Sequence, residues 1–240
     1  MIRRADIADI RKCMNELGYI EGEYDKRTNE LKPVAKEKSM LWKTKMNNLL
    51  PFKKVNDCEY AKLTEFDFSF SLDLDLNLEP VERMVEASEP MSESPFQALK
   101  PAHFFIHQCC HHYKEATNAS WVILDNDINL IKFCDVREFV LQIMTTDDLQ
   151  EAIDFAKIYG IQKAVYFTLF YLNLIYTDGY EEEMLNQLSI DDNEFLNYFG
   201  EKDFGYSLKW SKSFWDRMFS DSNKDEITET PKYSGLVDFV

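Results

Sequence analysis

The chain has 240 residues, 45% of them hydrophobic, enough to bury a core as one large or two small domains. Its 43 acidic against 27 basic residues give a net charge of −16, which argues against nonspecific binding to nucleic acid or an anionic membrane surface but leaves room for a nucleotide carried with magnesium. Five cysteines without a C-x-x-C pair, no signal peptide, and a longest strongly apolar run (Ala164 to Tyr176) too short to span a bilayer point to a cytoplasmic protein with free thiols.

The first predicted element is a helix over Asp6 to Leu17, with Ile7, Ile10, Met14 and Leu17 at helical spacing. Asp6 or Asp9 suits its start, and Gly18 suits the position just past its end. Tyr19 to Tyr24 reads as extended, Asp25 to Pro33 as a turn and loop, and Lys36 to Leu50 as a basic amphipathic helix. Phe52 to Val55 and Tyr60 to Leu63 read as short sheet segments.

Thr64 to Leu78 carries the clearest pattern in the chain. Phe66, Phe68, Phe70, Leu72, Leu74, Leu76 and Leu78 alternate with polar residues, which predicts a strand with one buried face and a bend near Ser71 to Asp73. Asp67, Asp73 and Asp75 fall on the polar face, the last two in D-x-D spacing. Like charges in one row repel unless solvated, paired or bridged by a cation. A solvated outer face is one reading; a carboxylate strand of a metal-dependent phosphoryl- or nucleotidyl-transfer site is the other.

The run ADIADIRKCMNELGYIEGEYDKRTNELKP followed by EFDFSFSL resembles an uncharacterised nucleotidyltransferase family of bacteria, and the similarity continues through HFFIHQCCHHYKEATNA and LIKFCDVREF. Leu17-Gly18-Tyr19 is similar to the helix end of that family, and Asp67-Phe68-Ser69-Phe70 to its later carboxylate strand. The resemblance implies an α+β fold, a magnesium-bound nucleoside triphosphate as substrate, and Asp67 as the third metal-binding or base carboxylate. It also implies a Gly-Ser turn and a D-x-D pair ahead of the first helix. No Gly-Ser dipeptide occurs in the sequence, and only MIRRA precedes Asp6. The expectation is therefore a family member that lacks this half-site, inactive alone unless a complementing segment or chain supplies it. Asp73 and Asp75, which follow Asp67, are the substitute metal pair to be tested.

Pro80, Pro90 and Pro95 punctuate the next stretch, so residues 80–99 are expected to link a partial sheet domain (1–79) to a helical domain (100–219), with a polar tail over 220–240 and a hydrophobic tag at Leu236 to Val240. His103, His107 and His111 share a helix face at i, i+4 and i+8. Two of them can chelate one ion, three on a straight helix cannot, and packing against neighbours is the plainer reading. Lys132, Asp135 and Arg137 match a K-x-x-D-x-R-E pattern associated with the resembling family. Lys132 and Arg137 are candidates to contact phosphate or a peptide carboxylate. Alternatively, Asp135 and Arg137 form a structural ion pair. Thr145-Thr146-Asp147-Asp148 predicts a capped helix start, and Gln162 to Tyr176, apolar around most of its circumference, predicts a central helix.

Two functions follow. One is nucleotidyl transfer to a small-molecule or peptide or protein acceptor. The other is non-catalytic binding or regulation of a peptide or protein partner on a degenerate nucleotidyltransferase fold. A histidine-helix metalloprotein is a distant third.

Overall fold

The computed structural model describes residues 1–58 and 60–227. It divides at Ala87/Ser88 into two compact units. The fold is α+β: an antiparallel sheet forms in the N-terminal unit, and helices make up most of the C-terminal one.

Unit 1 opens with a 3-10 turn, Arg4–Asp6, that runs into α1 (Ile7–Glu16). Its end follows the sequence. Gly18 takes φ +82°, and the N–H groups of Tyr19 and Gly18 reach back to the carbonyls of Met14 (2.9 Å) and Asn15 (3.0 Å). That double closure needs a left-handed residue, which only glycine adopts without strain. The chain then forms β1 (Ile20–Asp25) and β2 (Glu30–Pro33). The second of these was expected as loop. The Asp25 carboxylate accepts from the N–H of Arg27 at 2.9 Å and Asn29 adopts φ 56°, so the turn is tight enough to bring Glu30–Pro33 back as a partner strand. Pro33 sits at the end of an edge strand, where its missing N–H is harmless. Gly22 faces it: a Cβ there would come within 2.8 Å of the Lys32 carbonyl oxygen.

After α2 (Lys36–Lys45) come β3 (Phe52–Val55) and β4 (Leu63–Phe66), and the sheet order is β2-β1-β3-β4. The predicted long strand is shorter than its alternation suggested. The ladder with β3 stops at Phe66, an isolated bridge joins Ser69 to Asn48, and Leu76 has φ 59°. Beyond it lies α3 (Glu79–Glu86). Ile2, Met14, Leu49, Phe52 and Phe70 make the buried core, with Phe68, Leu76 and Leu78 packed on it.

Unit 2 begins with a two-stranded piece, β5 (Glu89–Pro90) and β6 (Gln97–Ala98). Then come α4 (Pro101–Thr117), α5 (Ala119–Ile123), α6 (Leu130–Gln142), α7 (Thr146–Ile158), α8 (Gln162–Tyr176) and α9 (Glu182–Leu188). The expected cap on α7 is a full capping box between Thr145 and Asp148. Helix α4 packs on both α7 and α8, and α8 buries Ala164, Val165, Phe167, Leu169 and Leu172, the central helix its composition predicted.

The rest of unit 2 is β7 (Tyr198–Phe199), α10 (Glu201–Phe204), β8 (Leu208–Lys209) and α11 (Phe214–Met218). The segment after Ser220, expected as a loose tail, is tied down as far as Ile227. Asn223 is buried and donates to the Arg217 carbonyl at 3.1 Å, and Lys212 Nζ reaches Asp225 at 2.7 Å. The hydrophobic tag Leu236 to Val240 lies outside the described residues. No helix among them is long and apolar enough to cross a membrane.

Candidate functional site

The alternation of Phe66, Phe68 and Phe70 still orients Asp67, although the ladder has ended. Phe70 is buried, Phe68 is half-buried with its ring edge-on to Phe52 at 5.9 Å, and Asp67 between them is exposed. The backbone here is held from both sides. The Ile2 N–H donates to the Ser69 carbonyl at 2.9 Å, and the Leu49 N–H to the Phe68 carbonyl at 2.9 Å. Asn47 is buried, and its amide donates to the Ser71 carbonyl at 2.8 Å. Asn48 completes the arrangement: its Nδ2 donates to Asp67 Oδ1 at 2.8 Å. A carboxylate only accepts, so the amide orientation is fixed by this bond. Asn48 Oδ1 then points away from Asp67, and it is buried without a hydrogen-bond partner.

Asp73 and Asp75 are not on a strand. Asp73 Oδ1 accepts the Asp75 N–H at 2.9 Å, closing a turn ahead of α3. The described residues contain no group of three or more His, Cys, Asp or Glu side chains that could hold a metal ion. Magnesium takes one or two carboxylates plus phosphates and water. Asp67 has the chemistry of one such ligand, exposed and next to a hydrogen-bonding amide.

Asn48, the hydrogen-bond partner of Asp67, also lines a cleft of about 210 Å³ in unit 1. Arg4, Arg11 and Lys43 line it together with Trp42, Asn48 and Phe70, and among the described residues no carboxylate does. The Arg4 guanidinium lies 5.9 Å from the centre of the Phe70 ring. Arg11 is braced by Glu21, at 3.0 Å from Nη2. Trp42 Nε1 donates to the Asn48 carbonyl at 3.2 Å, which ties α2 to the segment that holds Asp67. Sequence reasoning did not find these cations. Arg4, Ile7 and Arg11 recur at i, i+3 and i+7, which was a readable signal for one face; nothing in the spacing brings Lys43 to them.

The residues singled out in unit 2 do different work. Lys132 Nζ pairs with Glu115 Oε2 at 2.5 Å, and Glu115 also takes His111 Nε2 at 3.1 Å. Burial raises the Glu115 pKa, but His111 and Lys132 outweigh it and hold the carboxyl below its ordinary value. Arg137 is buried and ion-paired to Glu181 and, at 2.5 Å, to Asp178, with the Tyr176 and Tyr180 rings 4.9 and 4.7 Å away. Of the two readings of this stretch, Arg137 follows the structural ion pair but with these partners, 41 and 44 residues further along, instead of Asp135, which is exposed.

The histidines of α4 also differ from one another. His103 is buried beside the Phe155 ring at 5.0 Å, and His112 is buried beside Phe133 at 5.7 Å. Burial pushes the imidazoles of His107 and His112 down to about 4.

A family model described as uncharacterised nucleotidyltransferase matches residues 1–177. The chain belongs to that family. No curated protein and no solved structure matches it. The family match covers the Asp67 segment and its cleft, and in unit 2 it reaches the end of α8.

Proposed function

We propose that this nucleotidyltransferase-family protein takes part in transfer of a nucleotidyl group from a magnesium-bound nucleoside triphosphate to a small-molecule or peptide or protein acceptor. The observation that supports this best is the placement of Asp67: exposed, just past the end of β4, with its carboxylate oriented by Asn48 at 2.8 Å. A carboxylate so held suits the base or metal-ligand part in phosphoryl-type transfer. In this reading Lys132, Asp135 and Arg137 shape the acceptor site, Lys132 and Arg137 held in place by their ion pairs. Positioning and charge stabilisation make up almost all of such catalysis. The Gly-Ser turn that holds the triphosphate in the wider fold class does not occur in the sequence. The 240 residues alone should therefore transfer nothing.

The test is incubation with labelled nucleoside triphosphates, magnesium or manganese, and candidate acceptors. The expected result is no transfer by the chain alone. Transfer should appear once a segment carrying Gly-Ser and D-x-D is supplied, and disappear again with Asp67→Asn. Transfer by the unassisted chain, lost on Asp73→Asn or Asp75→Asn, contradicts the role given to Asp67. The non-catalytic reading, a peptide- or protein-binding or regulatory protein, is favoured by one observation: Asp73 and Asp75 close a turn on each other. It is the outcome if no segment restores transfer.

A further inference from the structure

We infer that the cleft lined by Arg4, Arg11 and Lys43 binds the polyphosphate chain of a nucleotide. The identity of the ligand as a nucleotide rests on the function proposed above; its charge does not. A protein of net charge −16 needs a locally positive recess to take a polyanion, and among the described residues this cleft is lined by three cations and no carboxylate. Among the described residues Arg4 and Lys43 make no ion pair, so both are open to a ligand. Arg11 is part-neutralised by Glu21, which fixes its guanidinium at the wall.

The alternatives in unit 2 are weaker. Lys132 and Arg137 are already neutralised by Glu115 and by Glu181 with Asp178. The larger cavity there, about 330 Å³, sets Glu201 beside Lys163 and Lys202. Cations left unpaired in a recess that excludes carboxylates are the arrangement that phosphate groups require.

The volume bears on which part of the nucleotide enters. About 210 Å³ is below the range of cavities that enclose a whole drug-sized molecule. The phosphate chain therefore occupies the cleft and the nucleoside lies at its mouth. Asn48 joins this cleft to Asp67: the same side chain lines the one and hydrogen-bonds the other.

Isothermal titration of the full chain without divalent metal, at low and moderate salt, tests this with three probes: tripolyphosphate, ATP and orthophosphate. Tripolyphosphate and ATP should bind at least tenfold more tightly than orthophosphate, and more weakly as salt rises. Arg4→Ala with Lys43→Ala should weaken both at least tenfold, Lys43→Arg alone should keep parent affinity, and the exposed Lys157→Ala should change nothing. Circular dichroism melts of the variants, all at exposed positions, check that they fold. ATP tighter than tripolyphosphate supports a nucleoside at the mouth; equal affinities support a phosphate site that free polyphosphate also fills. Binding unchanged in the double variant, or ATP binding without tripolyphosphate binding, overturns the inference. If tripolyphosphate binds through Arg4 and Lys43 but no label transfer is ever restored, the function fails and the site stands.

Discussion

The two units use charge in opposite ways. Unit 1 carries 15 Lys and Arg against 17 Asp and Glu, net −2, whereas unit 2 carries 12 against 26, net −14. The more charged unit is also the one that buries ion pairs: Arg137 with Glu181, and Arg217 with Asp127 at 3.4 Å while its guanidinium stacks 3.5 Å from the Trp210 ring. Asp203 is buried too, and accepts the Ala119 N–H at the start of α5 at 2.7 Å. In unit 1 the notable charges are displayed. Asp67 is exposed, and Arg4 and Lys43 border an open cleft. A charged residue in a motif-like spacing is thus not a ligand contact by virtue of the spacing. What matters is whether the fold has already neutralised it.

The largest effect that would sharpen this contrast lies in unit 2. Removing one partner of a buried pair leaves an uncompensated charge, so Arg137→Ala should destabilise by about 3–5 kcal/mol. Replacing both partners, as Arg137→Met with Glu181→Leu, should recover most of that loss. Denaturant midpoints of the three proteins check it, and an Arg137→Ala chain as stable as the parent would break the contrast. Asp67→Asn, at an exposed site, should stay within about 0.5 kcal/mol of the parent.

In unit 1 the segment that carries Asp67 depends on its apolar neighbours. Phe70 is 7% exposed, and Phe70→Ala should cost about 3–5 kcal/mol. Phe68 is only half-buried, so Phe68→Ala should cost clearly less. Equal losses would mean that both rings sit equally deep and that the segment runs differently past Phe66.

A smaller, pH-dependent effect should again separate the units. His107 and His112 titrate near 4 when folded and near 6.5 when unfolded. Between those values the unfolded chain binds more protons, so stability is fully present above pH 6.5 and falls as the pH drops toward 4. By pH 5 the loss should be about 2 kcal/mol per histidine. Glu115, with its lowered pKa, adds loss of the same sign at lower pH. Urea denaturation at pH 7 and pH 5 in a Trp42→Phe background reads unit 2, because Trp121, Trp210 and Trp215 all lie there. His112→Leu should remove about half of the change.

How much of this was legible depends on the range of the interaction. Local signals were read correctly: the Gly18 helix end, the Thr145 capping box and the all-round apolar α8 each depend on residues a few positions apart. The period-two run was read as one strand because its leucines are placed as if in one. They do bury: Leu72 is 5% exposed, and Leu76 and Leu78 pack on the core. They do so through a turn made by Asp73 and a left-handed Leu76, while Phe66 at the head of the run stays exposed and Ser71 on its polar row is buried, so the alternation marked extended structure only as far as Phe66 and burial only in part. Long-range partners left no trace. Nothing near Arg137 points to Glu181, and nothing near Arg4 points to Lys43, 39 positions away, because each pairing is made by the packing of separate helices.

The proposed function puts nucleotide chemistry at the displayed charges of unit 1, around Asp67 and the cleft that Asn48 lines, and not at the paired charges of unit 2. Hydrogen–deuterium exchange of the full chain with and without ATP tests it most directly. The account predicts that ATP slows exchange at residues 4–11 and 42–50 and leaves residues 130–138 unchanged. Protection confined to residues 130–138, around Lys132 and Arg137, would contradict it.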